Sequence, residues 1–262
     1  SIKTLKKKYL CHVDFFGLYN LYNEKFKKKN LLYIFNEILN ELKIETIYVA
    51  TFNYDFLKFG KTKHNAKSQL NEITRLIQKQ KNFKQTFDPV FSFCTNDKKY
   101  KFIIKNKFES FGKDSLYDYA LKENMEYLNL GTSENFISTA IHYAEKFFDV
   151  KYRYKKQFIG NYKYKNKNNK IIYDHMVWPM TKKICNYDAK KINNDMIKDG
   201  IWNVIKSKNG YYIKKAKIKT FNNYIVKKVK NDPFYPVHIK TKTWMKKFLK
   251  KKKKISIENF EK

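Results

Sequence analysis

The sequence contains 262 residues, of which 42% are hydrophobic and 18% aromatic, and this excludes a disordered chain because a sizeable core can form. Lys and Arg number 57 against 24 Asp and Glu, which gives a formal net charge of +33. The lysines are spread along the entire chain, and no zinc-finger, helix-turn-helix or RNA-recognition pattern occurs, so we expect no specific nucleic-acid partner. A positive surface that attracts a phosphate-bearing cofactor or substrate is the better interpretation.

The three cysteines, Cys11, Cys94 and Cys185, lie far apart and show no metal-ligand spacing. An odd number of scattered cysteines favours reduced thiols in a cytosolic protein and predicts no metal site. No run of about 18 apolar residues is present to span a membrane, and the first residues lack an apolar stretch of signal-peptide length. The sequence therefore predicts a soluble, cytoplasmic protein without a transmembrane segment.

The first part of the chain alternates between strand and helix patterns. Residues 9–16 predict a short buried strand, on which His12 and Asp14 face the same side because strand side chains alternate. The spacing of apolar residues predicts an amphipathic helix over 30–43. The β-branched and apolar run 44–52 predicts a central parallel strand, and sites of α/β folds form at the carboxyl ends of such strands.

Polar residues continue that strand in the segment 51–55, Thr-Phe-Asn-Tyr-Asp. They suit a binding site or, equally, a turn, for which Asn and Asp are common. After a second predicted helix within 65–80, Pro89 precedes a predicted strand at 90–94 and forces Asp88 out of the α region. The Asp88 carboxylate can then hold an ammonium or hydroxyl group of a substrate, or serve as an isolated salt-bridge partner. Both interpretations stay open.

The segment 111–158 contains the clearest candidate for chemistry. A Phe-Gly-Lys-Asp-Ser turn opens a short helix, a strand covers 125–130, and a second helix carries Thr139, His142 and Glu145 on one face. Helical positions three apart are neighbours, so Glu145 can accept a hydrogen bond from one imidazole nitrogen of His142. The other nitrogen is then free to take a proton, as a general base requires. Taken alone, such a pair is more often an ordinary polar contact.

The polar break 131–135 precedes this helix, and we expect Ser133 or Asn135 to cap it. Backbone N–H groups at that start could receive a phosphate or an oxyanion. Neither a Walker loop nor a Gly-x-Gly-x-x-Gly motif occurs, which argues against ATP and NAD chemistry.

The remainder of the chain predicts mixed elements. We expect a charged strand at 151–158, a loop or hairpin tip at 160–170, a strand at 171–180 whose Asp174 and His175 have no assigned role, and a hairpin at Asn209-Gly210. Helices are predicted at 188–199, 220–230 and 241–251.

Together these elements predict an α/β fold with a mostly parallel central sheet sandwiched by helices and a mixed α+β C-terminal extension. No clear linker separates domains. We therefore expect a single domain over 1–262, with a core of about 5–160 and a C-terminal subdomain of about 161–262.

Four segments carry a family resemblance by their order along the chain. They are His12-Val13-Asp14, Ala50 to Phe56, Asp88 to Phe93, and Phe111-Gly112-Lys113-Asp114-Ser115 leading to Thr139 to Glu145. This set resembles the aminoglycoside 3-N-acetyltransferase family, also called the antibiotic N-acetyltransferase family, in particular members associated with bacterial surface-sugar biosynthesis. Drug-modifying members usually read His-Ser-Ser where this chain has His12-Val13-Asp14, a departure that bears on the acceptor more than on the chemistry.

The resemblance implies transfer of an acetyl group from acetyl-CoA to a primary amine of an amino sugar by direct attack. In that scheme His142 is the general base and Glu145 orients it. Residues assigned to the cofactor are Thr51, Phe111, Gly112, Ser115 and Thr139. Residues assigned to the acceptor are Asp14, Tyr54, Asp55 and Asp88.

Charge guides the choice of acceptor. A polycationic aminoglycoside suits a +33 protein poorly, whereas a nucleotide-linked or surface-polysaccharide amino sugar suits it well. An aminoglycoside antibiotic acetyltransferase, an acyltransferase with a longer or formyl donor, and a noncatalytic polyanion-binding protein are the alternatives.

Overall fold

The computed structural model describes residues 7–26, 30–100, 105–179, 186–252 and 255–260. The strands within these ranges are β1 (Lys8–Val13), β2 (Thr46–Ala50), β3 (Lys61–Lys63), β4 (Lys84–Gln85), β5 (Phe93–Thr95), β6 (Lys107–Glu109), β7 (Glu126–Thr132), β8 (Tyr154–Tyr164), β9 (Lys167–Val177), β10 (Asn203–Lys206) and β11 (Tyr212–Lys217). The helices are α1 (Phe15–Phe26), α2 (Leu31–Glu41), α3 (Asp55–Phe59), α4 (Glu72–Gln78), α5 (Leu116–Lys122), α6 (Ile141–Phe147), α7 (Ala189–Lys198), α8 (Ile218–Asn231), α9 (Ile239–Lys252) and α10 (Ile257–Phe260).

A seven-stranded sheet in the order β10-β11-β7-β1-β2-β5-β4 forms the centre of the fold. Only its three middle strands are parallel, since β1 pairs with β7 and β2 in parallel and the outer pairs are antiparallel. The mixed α/β class is thus confirmed, whereas the parallel part is confined to the middle. The predicted strand at 90–94 corresponds to β5, which begins later, at Phe93. The connection 86–92 from β4 is too short for a parallel crossover, so the two strands pair in antiparallel.

Both faces of this sheet are covered, so its middle strands are almost continuously buried, including all seven residues of β7. One face packs against α1, α2 and α4, and the other against α5, α6 and α8. The predicted helix over 30–43 is confirmed as α2, whose first turn is capped by Asn30 accepting from the Tyr33 N–H. Cys11 and Cys94 are buried, free thiols, and Cys185 lies outside the described residues.

A second sheet, in the order β3-β8-β9-β6, is built around the long β8–β9 hairpin. The predicted loop at 160–170 was wrong in extent, because both strands continue to Tyr164 and Lys167. One face of this end of the hairpin is polar and solvent-exposed, whereas Tyr162 on the other face is buried. Because only one face is apolar, the apolar content of the segment was too low to predict a strand. The hairpin predicted at Asn209-Gly210 is confirmed, and it places β11 beside β7.

The turn after β1 differs from the prediction. β1 ends at Val13, and the carboxylate of Asp14 accepts a hydrogen bond from the Gly17 N–H at 2.9 Å. His12 and Asp14 therefore do not share a strand face, because Asp14 begins the next helical turn instead. None of the helices in the described ranges is long and apolar enough to cross a membrane. The single-domain organisation with a boundary near residue 160 stays a prediction.

Two glycines bring α1 against the end of β7. A Cβ atom on Gly17 would lie 1.6 Å from the carbonyl oxygen of Gly131, and Gly131 itself has a φ of +70°. This contact fixes the start of α1 beside the carboxyl end of β7.

We expect Gly17→Ala to destabilise the protein by about 1–3 kcal/mol, because an added methyl group forces two backbone segments apart. Urea unfolding measures the change. Phe16→Ala on the same helix is the control, since this side chain is 68% exposed and should change stability by less than about 0.5 kcal/mol. Equal effects of the two substitutions would contradict the packing argument.

Candidate active site

His142 and Glu145 are in contact on α6. His142 Nδ1 lies 2.7 Å from Glu145 Oε2, as the spacing predicted. Helix α6 begins after Ala140 with no side-chain cap, so the expected capping by Ser133 or Asn135 is wrong. Residues 136–140 form an irregular segment and a turn between the polar break and the helix, which places both candidate caps too early.

The Glu145 carboxylate is enclosed by polar groups, with only 1% of its side chain exposed. Its oxygens accept from the Tyr152 hydroxyl at 2.9 Å and lie 2.7 Å from the Tyr187 hydroxyl. Arg153 Nε lies 2.9 Å from Glu145 Oε2, so a buried cation compensates the buried anion. Burial alone would raise the pKa of Glu145, but Arg153, His142 and Tyr187 together lower it to about 2. Glu145 is therefore ionised at neutral pH.

Arg153 is itself held on several sides. Its Nη1 donates to the Met176 carbonyl at 2.7 Å, its Nη2 donates to the Tyr187 hydroxyl at 2.5 Å, and its guanidinium carbon lies 4.7 Å from the ring centre of Trp178. Sequence reasoning missed this residue and assigned it to a charged strand. One signal was present, since Arg153 is one of two arginines among 57 basic residues, and arginine suits buried ion pairs better than lysine.

The protonation of His142 follows from these contacts. Burial lowers the pKa of His142, the nearby Arg153 guanidinium lowers it further, and the hydrogen bond with Glu145 opposes both effects. His142 is thus neutral at neutral pH. Nδ1 lies 2.7 Å from ionised Glu145, which can only accept, 3.0 Å from the Tyr187 hydroxyl and 3.3 Å from Arg153 Nη2, which can only donate. Because Glu145 is the nearest of the three, we assign the proton of the neutral imidazole to Nδ1 and the lone pair to Nε2. In this protonation state Nε2 can accept a proton, as a general base requires.

A cavity of about 310 Å³ opens at His142. Its lining combines four cationic side chains with three carboxylates and the two imidazoles of His142 and His175. The cations are Arg153, Lys146, Lys155 and Lys156, and the carboxylates are Glu109, Glu145 and Asp174. The cavity is therefore not mainly acidic.

His175 is the second imidazole at this cavity, although no role was assigned to it from the sequence. Its Nδ1 lies 2.8 Å from the Ser110 hydroxyl, and its ring centre lies 5.5 Å from that of Phe91. Burial is the largest cause that lowers the pKa of His175 to about 3, and the charges of Arg153 and His142 lower it further. This imidazole therefore stays neutral and is a weak proton acceptor at neutral pH.

Of the residues assigned to the cofactor, Phe111 is the one that lines the cavity, with its ring centre 4.9 Å from that of His142. Gly112 lies next to the ion pair between Glu109 and Lys146. A Cβ atom at this position would lie 1.9 Å from Glu109 Oε2. Ser115 caps α5, accepts from the Asp118 N–H at 3.2 Å and lines a separate cavity of about 490 Å³.

Thr51 and Thr139 lie away from the cavity. Thr51 is fully buried, and its hydroxyl donates to the Ser92 carbonyl at 3.2 Å. Thr139 bonds to the Tyr117 hydroxyl and lies 3.5 Å from His12 Nε2. Thr139 lies in the turn before α6, which begins at Ile141, and therefore does not share a helix face with His142 and Glu145.

The four residues assigned to the acceptor also lie outside the lining of the His142 cavity. Asp14 caps its own turn, Tyr54 packs 6.2 Å from Phe91, and Asp55 accepts from the Gln69 amide at 2.6 Å. Asp88 accepts from the N–H groups of Val90 and Phe91 and from the Tyr173 hydroxyl. Burial raises the pKa of Asp88 to about 6 despite these bonds.

No protein-family model matches the sequence, and no curated protein matches it. Solved structures do match. The apoenzyme of aminoglycoside acetyltransferase AAC(3)-IVa aligns with a TM-score of 0.62 at 13% identity, over 90% of this chain and 86% of that chain. The complex of AAC-IIIb with CoASH aligns with a TM-score of 0.61 at 9% identity, over 86% and 90%. YokD from Bacillus subtilis aligns with a TM-score of 0.61 at 12% identity, over 87% and 88%. The resemblance is thus confirmed at the level of structure, and the chain has the fold of the aminoglycoside 3-N-acetyltransferases.

Proposed function

We propose that this protein is a cytoplasmic, single-domain N-acetyltransferase that moves an acetyl group from acetyl-CoA to a primary amine of an amino sugar. The observation that carries the proposal is the contact between His142 Nδ1 and ionised Glu145, which leaves the Nε2 lone pair to accept a proton, on a residue that lines a cavity. The fold adds support, since a protein of the same fold has been solved with CoASH.

The chemistry needs a base because a sugar amine is protonated near neutral pH and cannot attack a thioester in that form. His142 Nε2 takes one proton from the ammonium group, the amine nitrogen attacks the acetyl carbon, the carbon–sulfur bond breaks, and the new amide nitrogen releases its second proton to solvent. The CoA thiolate leaves and is protonated, with the His142 imidazolium as the donor. Glu145 stabilises that imidazolium and holds the ring in place.

An anionic acceptor fits the cavity better than a polycationic one. The lining has four cationic side chains and three carboxylates, an excess of one positive charge. Arg153 pairs with Glu145 and Lys146 pairs with Glu109, so the other charged groups of the lining are Lys155, Lys156 and Asp174. A nucleotide-linked amino sugar, or one used in surface-polysaccharide synthesis, is therefore the favoured substrate class. Aminoglycosides are the second candidate, because AAC(3)-IVa has been solved with a gentamicin and with apramycin.

A free-thiol release assay with acetyl-CoA tests the proposal. The acceptor panel contains amino-sugar nucleotides and aminoglycosides, and longer and formyl donors replace acetyl-CoA in parallel reactions. Acceptor-dependent thiol release with an amino-sugar nucleotide is the expected result. Release with aminoglycosides alone would move the substrate class to the second candidate. Retention on nucleic acid that falls steeply with salt, without any thioester consumption, would instead support a polyanion-binding protein.

The pH dependence of kcat/KM gives a second test of the base. Because burial and Arg153 lower the pKa of His142 from its ordinary 6.5, we expect the acid limb of the profile to have its midpoint below 6.5. Activity should therefore persist as pH falls through 6.5 and decline only below it. A midpoint above 6.5 would contradict the assignment. The profile is measured at constant ionic strength so that screening does not shift it.

A further inference from the structure

A cationic groove lies beyond the His142 cavity, at the end of the second sheet. It has a volume of about 730 Å³ and a lining with five cationic side chains and one carboxylate. We call it the basic groove and define it by the residues Asn53, Asp55, Lys61, Thr62, Lys63, Ala66, Lys67, Ser68, Gln69, Arg75, Asn161, Lys163 and Asn168.

Two glycines build this groove by joining β3 to β8. Gly60 has a φ of +64°, and a Cβ atom on Gly160 would lie 2.1 Å from the Gly60 carbonyl oxygen. This close approach lets β3 pair in parallel with β8, with Lys63 directly opposite Lys163. Neighbouring strands lie about 4.8 Å apart, so two like charges are held side by side, an arrangement that is unfavourable without an anion.

The cations of the groove lack compensation within the part of the chain that the structure describes. Lys61, Lys63, Lys67 and Lys163 are exposed and form no ion pair with a described carboxylate. The lining carboxylate, Asp55, instead accepts hydrogen bonds from the amides of two neighbours, Gln69 at 2.6 Å and Asn53 at 3.3 Å.

Arg75 also lines the groove, but its Nη1 lies 3.1 Å from Glu72 Oε2, so its charge is partly compensated. The groove therefore concentrates positive charge next to amide donors from Asn161 and Asn168.

We propose that the basic groove binds a ligand that carries a pyrophosphate. Two adjacent phosphoryl groups present charges a few ångströms apart, which suits lysines fixed on neighbouring strands, and amide N–H groups complete the hydrogen bonding. The volume lies within the range of about 300–1,000 Å³ typical of small-molecule sites. A groove of this volume favours a small diphosphate over a nucleic acid, whose backbone needs a longer cationic track.

The position of the groove relates it to the candidate active site. Gln157 lines the His142 cavity and Asn161 lines the groove, and both lie on the exposed face of β8. Four strand residues span about 13 Å. Either acetyl-CoA or a nucleotide-linked sugar contains the required pyrophosphate, so the ligand's identity rests on the proposed function, whereas the binding test below does not depend on acetyl transfer.

Isothermal titration of the full-length chain with inorganic pyrophosphate, ADP, CoA and UDP at constant ionic strength tests the proposal. The double variant Lys63→Gln/Lys163→Gln removes the opposed lysines. Lys227→Gln/Lys230→Gln removes the same charge from the exposed side of α8 and is the control. We expect the groove variant to weaken pyrophosphate binding about 10- to 100-fold and the control to weaken it less than about twofold.

Selective loss of CoA binding in the groove variant would assign the pyrophosphate to the acyl donor, and selective loss of UDP binding would assign it to the acceptor. Equal affinities in the groove variant and the control would overturn the proposal. So would an absence of saturable pyrophosphate binding to the unmodified chain. Binding of oligonucleotides that strengthens with length, without mononucleotide binding, would replace the proposal by a nucleic-acid surface.

Discussion

Replacing His142 by alanine is expected to lower kcat by about two to four orders of magnitude in the thiol-release assay, the usual contribution of a general base. The substitution removes the imidazole whose Nδ1 contacts Glu145 at 2.7 Å, and with it the Nε2 lone pair that we assign as the proton acceptor. Substrate binding should change little, because the side chain acts on the proton of the amine. The loss should therefore appear in kcat more than in KM.

His238→Ala is the matched control for this prediction. That imidazole lies at the start of α9, where its Nδ1 is 3.4 Å from the Lys240 N–H, and it does not line the His142 cavity. Loss of this imidazole should leave kcat within about twofold of the unmodified value, which is a change of less than about 0.5 kcal/mol in the activation free energy. If His142→Ala kept normal turnover with a normal circular dichroism spectrum, the base would be a different group.

Glu145→Gln is expected to have the largest effect on stability. The substitution removes the anion that compensates Arg153 and leaves a buried cation without its partner, a change that typically costs about 3–5 kcal/mol. Denaturant unfolding at pH 7 measures the loss. Glu109→Gln is the control, because Glu109 is 42% exposed in its pair with Lys146, and surface pairs contribute about 0–1 kcal/mol.

The effect of Glu145→Gln should also depend on pH. The pKa of Glu145 is about 2 in the folded protein and 4.5 as an ordinary reference, so its stabilising contribution is complete above pH 4.5 and is lost as pH falls through about 2. The difference in stability between the two proteins should therefore narrow between pH 5 and pH 2. A difference that stayed constant over this range would show that the carboxylate is not the stabilising group.

Local patterns predicted much of the secondary structure. The 3.6-residue period predicted α2, the three-residue spacing predicted the contact of His142 with Glu145, and Asn209-Gly210 predicted the hairpin before β11. Each of these depends on residues close together in sequence, so a single sequence contains the necessary information.

The rest of the candidate site depends on contacts between distant segments. Tyr187 lies 42 residues from Glu145 and His175 lies 65 residues from Ser110, and no periodicity relates such pairs. Thr51, a polar residue at a strand end, was assigned to the cofactor, and that assignment stays a prediction. Its side chain is fully buried and hydrogen-bonded to Ser92 across the strand pair, a contact between distant segments that strand periodicity does not predict.

The enclosure of Glu145 by Tyr152, Arg153 and Tyr187 has a consequence for the order of events when the chain folds. Tyr187 and Glu145 are 42 residues apart, so their contact requires closure of a long loop. We expect this contact to form late in folding, because the chain loses the entropy of loop closure before the contact stabilises it. The longer helices α8 and α9, of 14 residues each, can gain helical structure from local interactions before that closure. During renaturation, recovery of catalytic turnover should therefore lag behind recovery of helical signal, and the delay reports the docking of the segment that carries Tyr187.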